Sequence, residues 1–240
     1  MSKRLSNNPK KYQSIVIVGR KGAGKSTLIK KMIKSSNVKK DKRFLISPTA
    51  ELDNTLLSSF DKENVFLQFD NDIIEHIKEL IETDTKEITF KFKHRWVKKK
   101  KNNNDIYGYN SKGEDGGEWV EIKSRKNKKP KLPPYLLVCD DCAGSNVLKR
   151  NGRMETLFSR HRHYRLNLIV VGHSYKYIPV LMRVNSNKLI FFDQNNAELK
   201  KIEEEHSRER EKGVFIKKFR EETDKRFGTF TIDYYKNPIY

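Results

Sequence analysis

The sequence predicts an α/β fold built on a mostly parallel central sheet, and three observations carry that expectation. Short β-branched and aliphatic runs recur along the chain and alternate with segments whose apolar residues fall at helical spacing. One strand-to-helix junction is glycine-rich, Gly19-Arg-Lys-Gly-Ala-Gly-Lys-Ser26. A later apolar run ends in two carboxylates, Leu136-Leu-Val-Cys-Asp140-Asp141. In open parallel sheets the ligand lies beyond the carboxyl ends of the strands, which is where both junctions fall.

Each element has its own signal. Ser14 to Val18 is a β-branched run, and Ser26 to Lys34 has the apolar spacing of a helix. Arg43 to Ser47 reads as a strand stopped by Pro48, and Asn64 to Gln68 as a short strand at a sheet edge. Asp72 to Ile81 carries Ile73, Ile74, Ile77, Leu80 and Ile81, the stripe of an amphipathic helix. Tyr135 to Cys139 is a strand introduced by Pro133-Pro134, Met154 to Arg162 a helix, and Leu166 to Val171 a further strand interrupted by Asn167. Ile178 to Met182 reads as a helical turn, Lys188 to Phe192 as a strand, and Ala197 to Lys212 as a charged helix on which Glu203, Glu204 and Glu205 face Arg208 and Arg210. Gly228 to Asp233 closes the sheet. Residues 1–240 read as one domain with a basic tail over 1–11. The Lys-, Asn- and Gly-rich stretch over 91–131, with Trp96, Tyr107, Tyr109 and Trp119 scattered through it, reads as an inserted hairpin or loop. That stretch is either a solvated charge run or a surface whose cations meet phosphates and whose aromatics stack on bases.

Composition narrows the function classes. The net charge of +20, from 51 basic and 31 acidic residues, predicts attraction to a polyanion, nucleic acid before a membrane surface. A Lys/Asn-rich coding background accounts for the same excess without any function. Two cysteines, Cys139 and Cys142, make no disulfide framework and fit a reducing compartment. Met1 to Gln13 has no apolar signal-like run, and Leu166 to Gly172 is too short to span a bilayer, so a soluble intracellular protein without a membrane partner is expected.

The glycine-rich junction carries the chemistry. Its spacing fits a phosphate loop between a strand and a helix, in which Gly19, Gly22, Ala23 and Gly24 let backbone N–H groups wrap an anion at a helix N-terminus. Lys25 then reaches the β- and γ-phosphates of ATP, the Ser26 hydroxyl ligates Mg²⁺, and Thr27 completes the first helical turn at the nucleotide. The paired acids divide the remaining work. Asp140 holds the Mg²⁺ shell, and Asp141 polarises a water for attack on the γ-phosphate. The C-x-x-C spacing of Cys139 and Cys142 has no second pair to complete a metal site. Where another strand lies between the loop strand and the acidic strand, as in the additional-strand type of phosphate-loop fold, a polar residue at that strand's end senses the γ-phosphate. His173 occupies this position. Arg160, Arg162, Arg165 and Arg183 flank the same strand, and an arginine from a neighbouring subunit would stabilise the transition state.

On these residues the chain resembles the genome-packaging ATPases of nucleocytoplasmic large DNA viruses, the poxvirus-type branch of the FtsK–HerA superfamily that virophages also carry. The resemblance rests on Gly19 to Ser26, Leu136 to Asp141, and a linked segment: Arg162-His163, the strand ending at His173, then Ile178-Pro179 and Arg183-Val-Asn185. The family's usual sensor is glutamine where this chain has His173. The resemblance implies a RecA/FtsK-like ATPase that forms a homo-oligomeric ring, a pentamer or hexamer, and drives double-stranded DNA into a preformed capsid. It also implies a capsid-protein partner, action in the host-cell cytoplasm where virions assemble, and Arg162 or Arg183 as the residue acting across the subunit boundary. Two other readings stand beside it. One is a nucleotide kinase using the same loop. The other is a nucleic-acid-binding protein or ATPase that is not a motor.

Overall fold

Strands buried on both faces have no polar face to expose, so they read as unbroken apolar runs, and Ser14–Val18 (β1) is buried at every position. The computed structural model describes residues 12–51, 54–99, 106–107, 119–123, 129–142, 152–211, 213–236 and 240. After β1 come α1 (Lys25–Lys34), β2 (Arg43–Ile46), α2 (Asn54–Leu57), β3 (Val65–Phe66) and α3 (Asn71–Lys93). Next are β4 (His94–Lys99), β5 (Ile106–Tyr107), β6 (Trp119–Lys123), β7 (Tyr135–Cys139) and α4 (Arg153–Arg160). The chain continues through β8 (Leu166–Gly172), α5 (Val180–Asn185), β9 (Lys188–Phe191), α6 (Asn196–His206), α7 (Val214–Thr223) and β10 (Phe230–Asp233). The basic tail over 1–11, Tyr109, and Lys126 to Lys128 lie outside the described residues.

The chain separates into two compact units, Met1–Lys78 with Pro133–Tyr240, and Glu79–Leu132. The first holds a seven-stranded sheet in the order β10-β9-β1-β8-β7-β2-β3. Every neighbouring pair is parallel except β10 with β9. The expected α/β sheet is therefore present, with β8 between the loop strand β1 and the acidic strand β7, and with β3 at the edge. The second unit holds an antiparallel sheet in the order β5-β4-β6, where the insertion was expected.

Side chains alternate between two layers of core. On one face Ile15, Ile17, Leu136, Val138, Ile169, Val171 and Ile190 pack with Ile29, Met32 and Ile33 of α1. On the other, α7 lays Phe215 and Phe219 against Phe191 and Phe230, with ring centroids 5.0 to 6.1 Å apart. These edge and tilted contacts add to the area buried.

Three elements depart from the sequence expectation. The α3 helix continues past Ile81 to Lys93, where Thr85 and Thr89 hydroxyls donate to carbonyls one turn back and Lys91 pairs with Glu87. The aliphatic stripe had ended, and the alternation of Ile88, Phe90 and Phe92 does not have helical period. The charged helix stops at His206, because Ser207 is extended, so Arg208 and Arg210 do not share a face with its glutamates. A separate helix, α7, follows Gly213, whose φ of 84° suits glycine. Its signal was the Phe215/Phe219 spacing.

The amino-terminal edge of the sheet is tied by buried amides. Asn167, fully buried in β8, accepts from the Gln13 N–H at 3.2 Å and donates to the Tyr135 carbonyl at 3.1 Å, joining both flanking strands. Asn187 accepts from the Ser14 N–H at 3.0 Å. Asn167→Ala leaves the half-buried Gln13 N–H without its partner, removes one bond to the Tyr135 carbonyl and opens a hole in the fully buried strand. The expected loss is about 2–3 kcal/mol, read as a lower urea midpoint with an unchanged denaturant slope.

Candidate functional site

The loop between β1 and α1 is shaped by its glycines. A Cβ on Gly19 would stand 2.8 Å from Phe192 Cβ, so the chain can pass under that ring only without a side chain. Gly19 N–H donates to the Gly172 carbonyl at 3.1 Å, which locks the start of the loop to the end of β8. Gly22 and Gly24 have φ of 77° and 99°, in the left-handed region. Gly24 caps α1 without any side-chain hydrogen bond, and the first turn has no acid, so the positive end of the helix is open to an anion. Ser26 is half-buried and Thr27 exposed in that turn, with Ala23 half-buried just before it.

Lys25, His173 and Asp141 form one hydrogen-bonded chain. The Lys25 ammonium, 8 % exposed, lies 2.7 Å from the Gly19 carbonyl, 2.9 Å from the Arg20 carbonyl and 3.2 Å from His173 Nδ1. An ammonium only donates, so Nδ1 accepts and the ring proton sits on Nε2. Nε2–H in turn donates to Asp141 Oδ1 at 2.6 Å. The neutral imidazole thus bridges the cation and the carboxylate, and Lys25 meets as many acceptors as it has protons. Burial pushes the Lys25 pKa down, and the charges of Asp140 and Asp141 oppose that shift. Asp141 has φ of 53°, a left-handed backbone that Asp tolerates better than most residues but at a cost of about 1 kcal/mol or more.

Asp140 is half-buried, and its N–H donates to the Ile46 carbonyl at 2.9 Å, which carries the β2–β7 pairing one residue past the strand. The Cys142 thiol donates to the Asp140 carbonyl at 3.2 Å. Its contact with Cys139, then burial, push its pKa far up, so it is a protonated clasp and neither nucleophile nor metal thiolate. Among the described residues no three His, Cys, Asp or Glu side chains converge as a metal cage. Mg²⁺ does not require one: it is held by one or two carboxylates together with phosphate oxygens and water, and the Ser26 hydroxyl and Asp140 supply hard oxygens suited to it.

A positioning contact escaped the sequence reading. Glu198, buried in the first turn of α6, accepts from the Tyr175 N–H at 2.7 Å and from the Ser174 hydroxyl, fixing the turn that carries His173. Its own N–H donates to the Asn195 side chain at 2.9 Å. The signal was Asn195-x-x-Glu198, a helix-start pattern.

The two candidate arginines lie elsewhere. Arg183 is 3 % exposed; its guanidinium stacks 4.6 Å over the Tyr175 ring and donates to Glu205 Oε1 at 2.5 Å. It is engaged inside its own chain and presents no guanidinium to a neighbour. Glu205 also accepts from Tyr175 Oη–H, and His206 lies between Tyr175 and Tyr234. Arg162 is exposed and donates to Tyr235 Oη at 2.8 Å. It precedes β8, whose seven residues put about 20 Å between it and His173. Within one chain, neither arginine reaches the loop.

No protein-family model and no curated protein matches the sequence. Solved structures do share the fold. The genome packaging NTPase B204 from Sulfolobus turreted icosahedral virus 2, in complex with AMPPCP, is 16% identical with a TM-score of 0.54, over 97% of this chain and 96% of that one. Its complex with AMP gives 15% identity and a TM-score of 0.55, over 95% and 94%. The DNA-packaging ATPase B204 from Sulfolobus turreted icosahedral virus gives 15% and 0.53, over 98% and 96%. The fold is thus that of a phosphate-loop ATPase with an additional strand. Among the described residues no helix is long and apolar enough to cross a membrane.

The Arg183 cluster sets a pH dependence. Burial, with Arg183 adding to it against Glu205, lowers the His206 pKa to about 4 from the ordinary 6.5. The unfolded chain therefore binds the extra proton first, and stability falls as pH drops from about 6.5 toward 4, by up to about 3 kcal/mol. Urea midpoints taken across this window are expected to fall more steeply for the wild type than for His206→Gln.

Proposed function

We propose that this chain is an ATP hydrolase that moves double-stranded DNA into a preformed capsid, working as a ring of its own copies. The chain from Lys25 through His173 to Asp141 carries the catalytic part of this reading: it joins a phosphate-binding cation, a γ-phosphate sensor and a general base on adjacent strand ends. The loop amides and the helix terminus bind the phosphates, and Lys25 exchanges a loop carbonyl or His173 for a phosphate oxygen. Where Lys25 gives up His173, the imidazole is free to turn toward the γ-phosphate, and its Nε2–H still donates to Asp141. Asp141 accepts a proton from the attacking water. Ser26 and Asp140 would hold Mg²⁺, which when bound would supply positive charge against the phosphate oxygens.

Support for DNA as the partner comes from the +20 charge, which suits backbone contact without base reading, and from a fold shared with a genome-packaging NTPase. A ring has room for an arginine acting between subunits, and Arg162 is the exposed one of the pair. A capsid protein as docking partner and action where virions assemble belong to the same reading.

Asp141→Asn is expected to bind ATP while turning it over about 10²–10⁴-fold more slowly, and Lys25→Ala to lose binding itself. Wild-type turnover, measured against duplex length and salt with oligomeric state in the same buffer, is expected to rise with DNA and to lose that stimulation as salt increases. Turnover indifferent to DNA at every salt concentration would sink the motor. Phosphate transferred to an added nucleoside monophosphate would replace it with a kinase.

A further inference from the structure

Beside the phosphate loop, the turn joining α7 to β10 encloses a cleft of about 430 Å³ whose walls include Gly22, Ala23, Asp193, Arg226 and Phe227. That size lies within the ordinary range of small-ligand sites. The turn presents an aromatic ring to the loop. A Cβ on Gly24 would come within 2.9 Å of Phe227 Cδ1, so the ring lies directly on the glycine that begins α1.

Phe227 is 58% exposed, and its φ of 63° is a left-handed backbone that an aromatic residue rarely adopts. The residue after it sits in a tight turn. A Cβ on Gly228 would stand 2.3 Å from the Glu222 carbonyl, and Gly228 N–H donates to the Lys225 carbonyl at 2.6 Å. Arg220 of α7 donates to Asp193 at 2.6 Å and to Asn196 at 2.9 Å, linking the helix to the segment after β9. Beneath it, Phe215 and Phe219 are fully buried. The Arg226 guanidinium lies 5.1 Å from the Phe227 ring centroid, a cation–π contact that steadies the ring.

An exposed, strained and well-supported aromatic beside a phosphate cradle has the chemistry of a stacking platform for a flat ring. Resting on the reading of Gly19 to Thr27 as that cradle, we propose that Phe227 is the base-binding platform of the site, stacking the nucleobase of a nucleoside triphosphate whose phosphates lie in the loop. Stacking is tolerant of base identity, since every base has a π-face. Selectivity among nucleobases at this position is therefore weak.

The test compares ATP with inorganic tripolyphosphate, which has the phosphates but no base, by binding titration with Mg²⁺ on the full chain. Phe227→Ala is expected to weaken ATP by about 5- to 150-fold, the span of one base–aromatic stack, and to leave tripolyphosphate binding unchanged. Phe227→Trp is expected to restore ATP affinity, with indole emission quenched by ATP and not by tripolyphosphate. Equal loss of both ligands in Phe227→Ala, showing that the ring only props Gly24, overturns the proposal, as does unchanged ATP affinity. A wild type that binds tripolyphosphate upholds the phosphate cradle whatever Phe227 does. A wild type that binds neither ligand removes the cradle, and the platform with it.

Discussion

The hydrogen-bonded chain from Lys25 through His173 to Asp141 exists only because β8 lies between β1 and β7 with all three strands parallel. Val18 pairs with Gly172 and Cys139 with Val170, so the strands end within a residue or two of one another. Parallel pairing brings all three carboxyl ends to one edge, so the side chains just past those ends meet. Much of the remaining structure holds that register: Gly19 bonded to Gly172, Asp140 to Ile46, and Glu198 on the turn after His173.

The two edges of the sheet are built differently. At the amino-terminal edge, buried amides of Asn167 and Asn187 bond the first backbone groups of the neighbouring strands. At the carboxyl edge the chain carries a nearly buried ammonium, an aspartate in a left-handed backbone and glycines under aromatic rings. Costs of this kind concentrate where groups must be aimed at a ligand, and the well-packed core between the edges offsets them.

Charge follows the same separation. Arg183, Glu205, Tyr175 and His206 form a buried polar cluster joined by hydrogen bonds, in which Arg183 Nε alone among the described buried side-chain atoms has no partner, and the neutral histidine is part of that balance. Such a cluster specifies packing between α5 and α6 and lies buried away from a second molecule. Arg162, in contrast, is exposed and bonds a tyrosine hydroxyl at the surface. Of two arginines with similar motif credentials, one is structural by burial and the other is accessible.

Much of this was legible in the sequence. The run before Gly19, the glycine spacing, the paired acids after Val138 and the strand ending at His173 are each encoded within a few consecutive residues, and local periodicity and backbone sterics suffice to read them. The helix α7 was legible too, in the Phe215/Phe219 spacing after Gly213, but was overshadowed by the dense charge around it. The sequence alone also determined that the glycine-rich loop and the pair of acids belong to one sheet. Tertiary structure decided which arginine is buried, that His173 is the bridge between Lys25 and Asp141, and that Phe227 lies on Gly24. Those outcomes depend on contacts between residues 22 to more than 200 positions apart, which no local pattern specifies and only the packed strand order brings together.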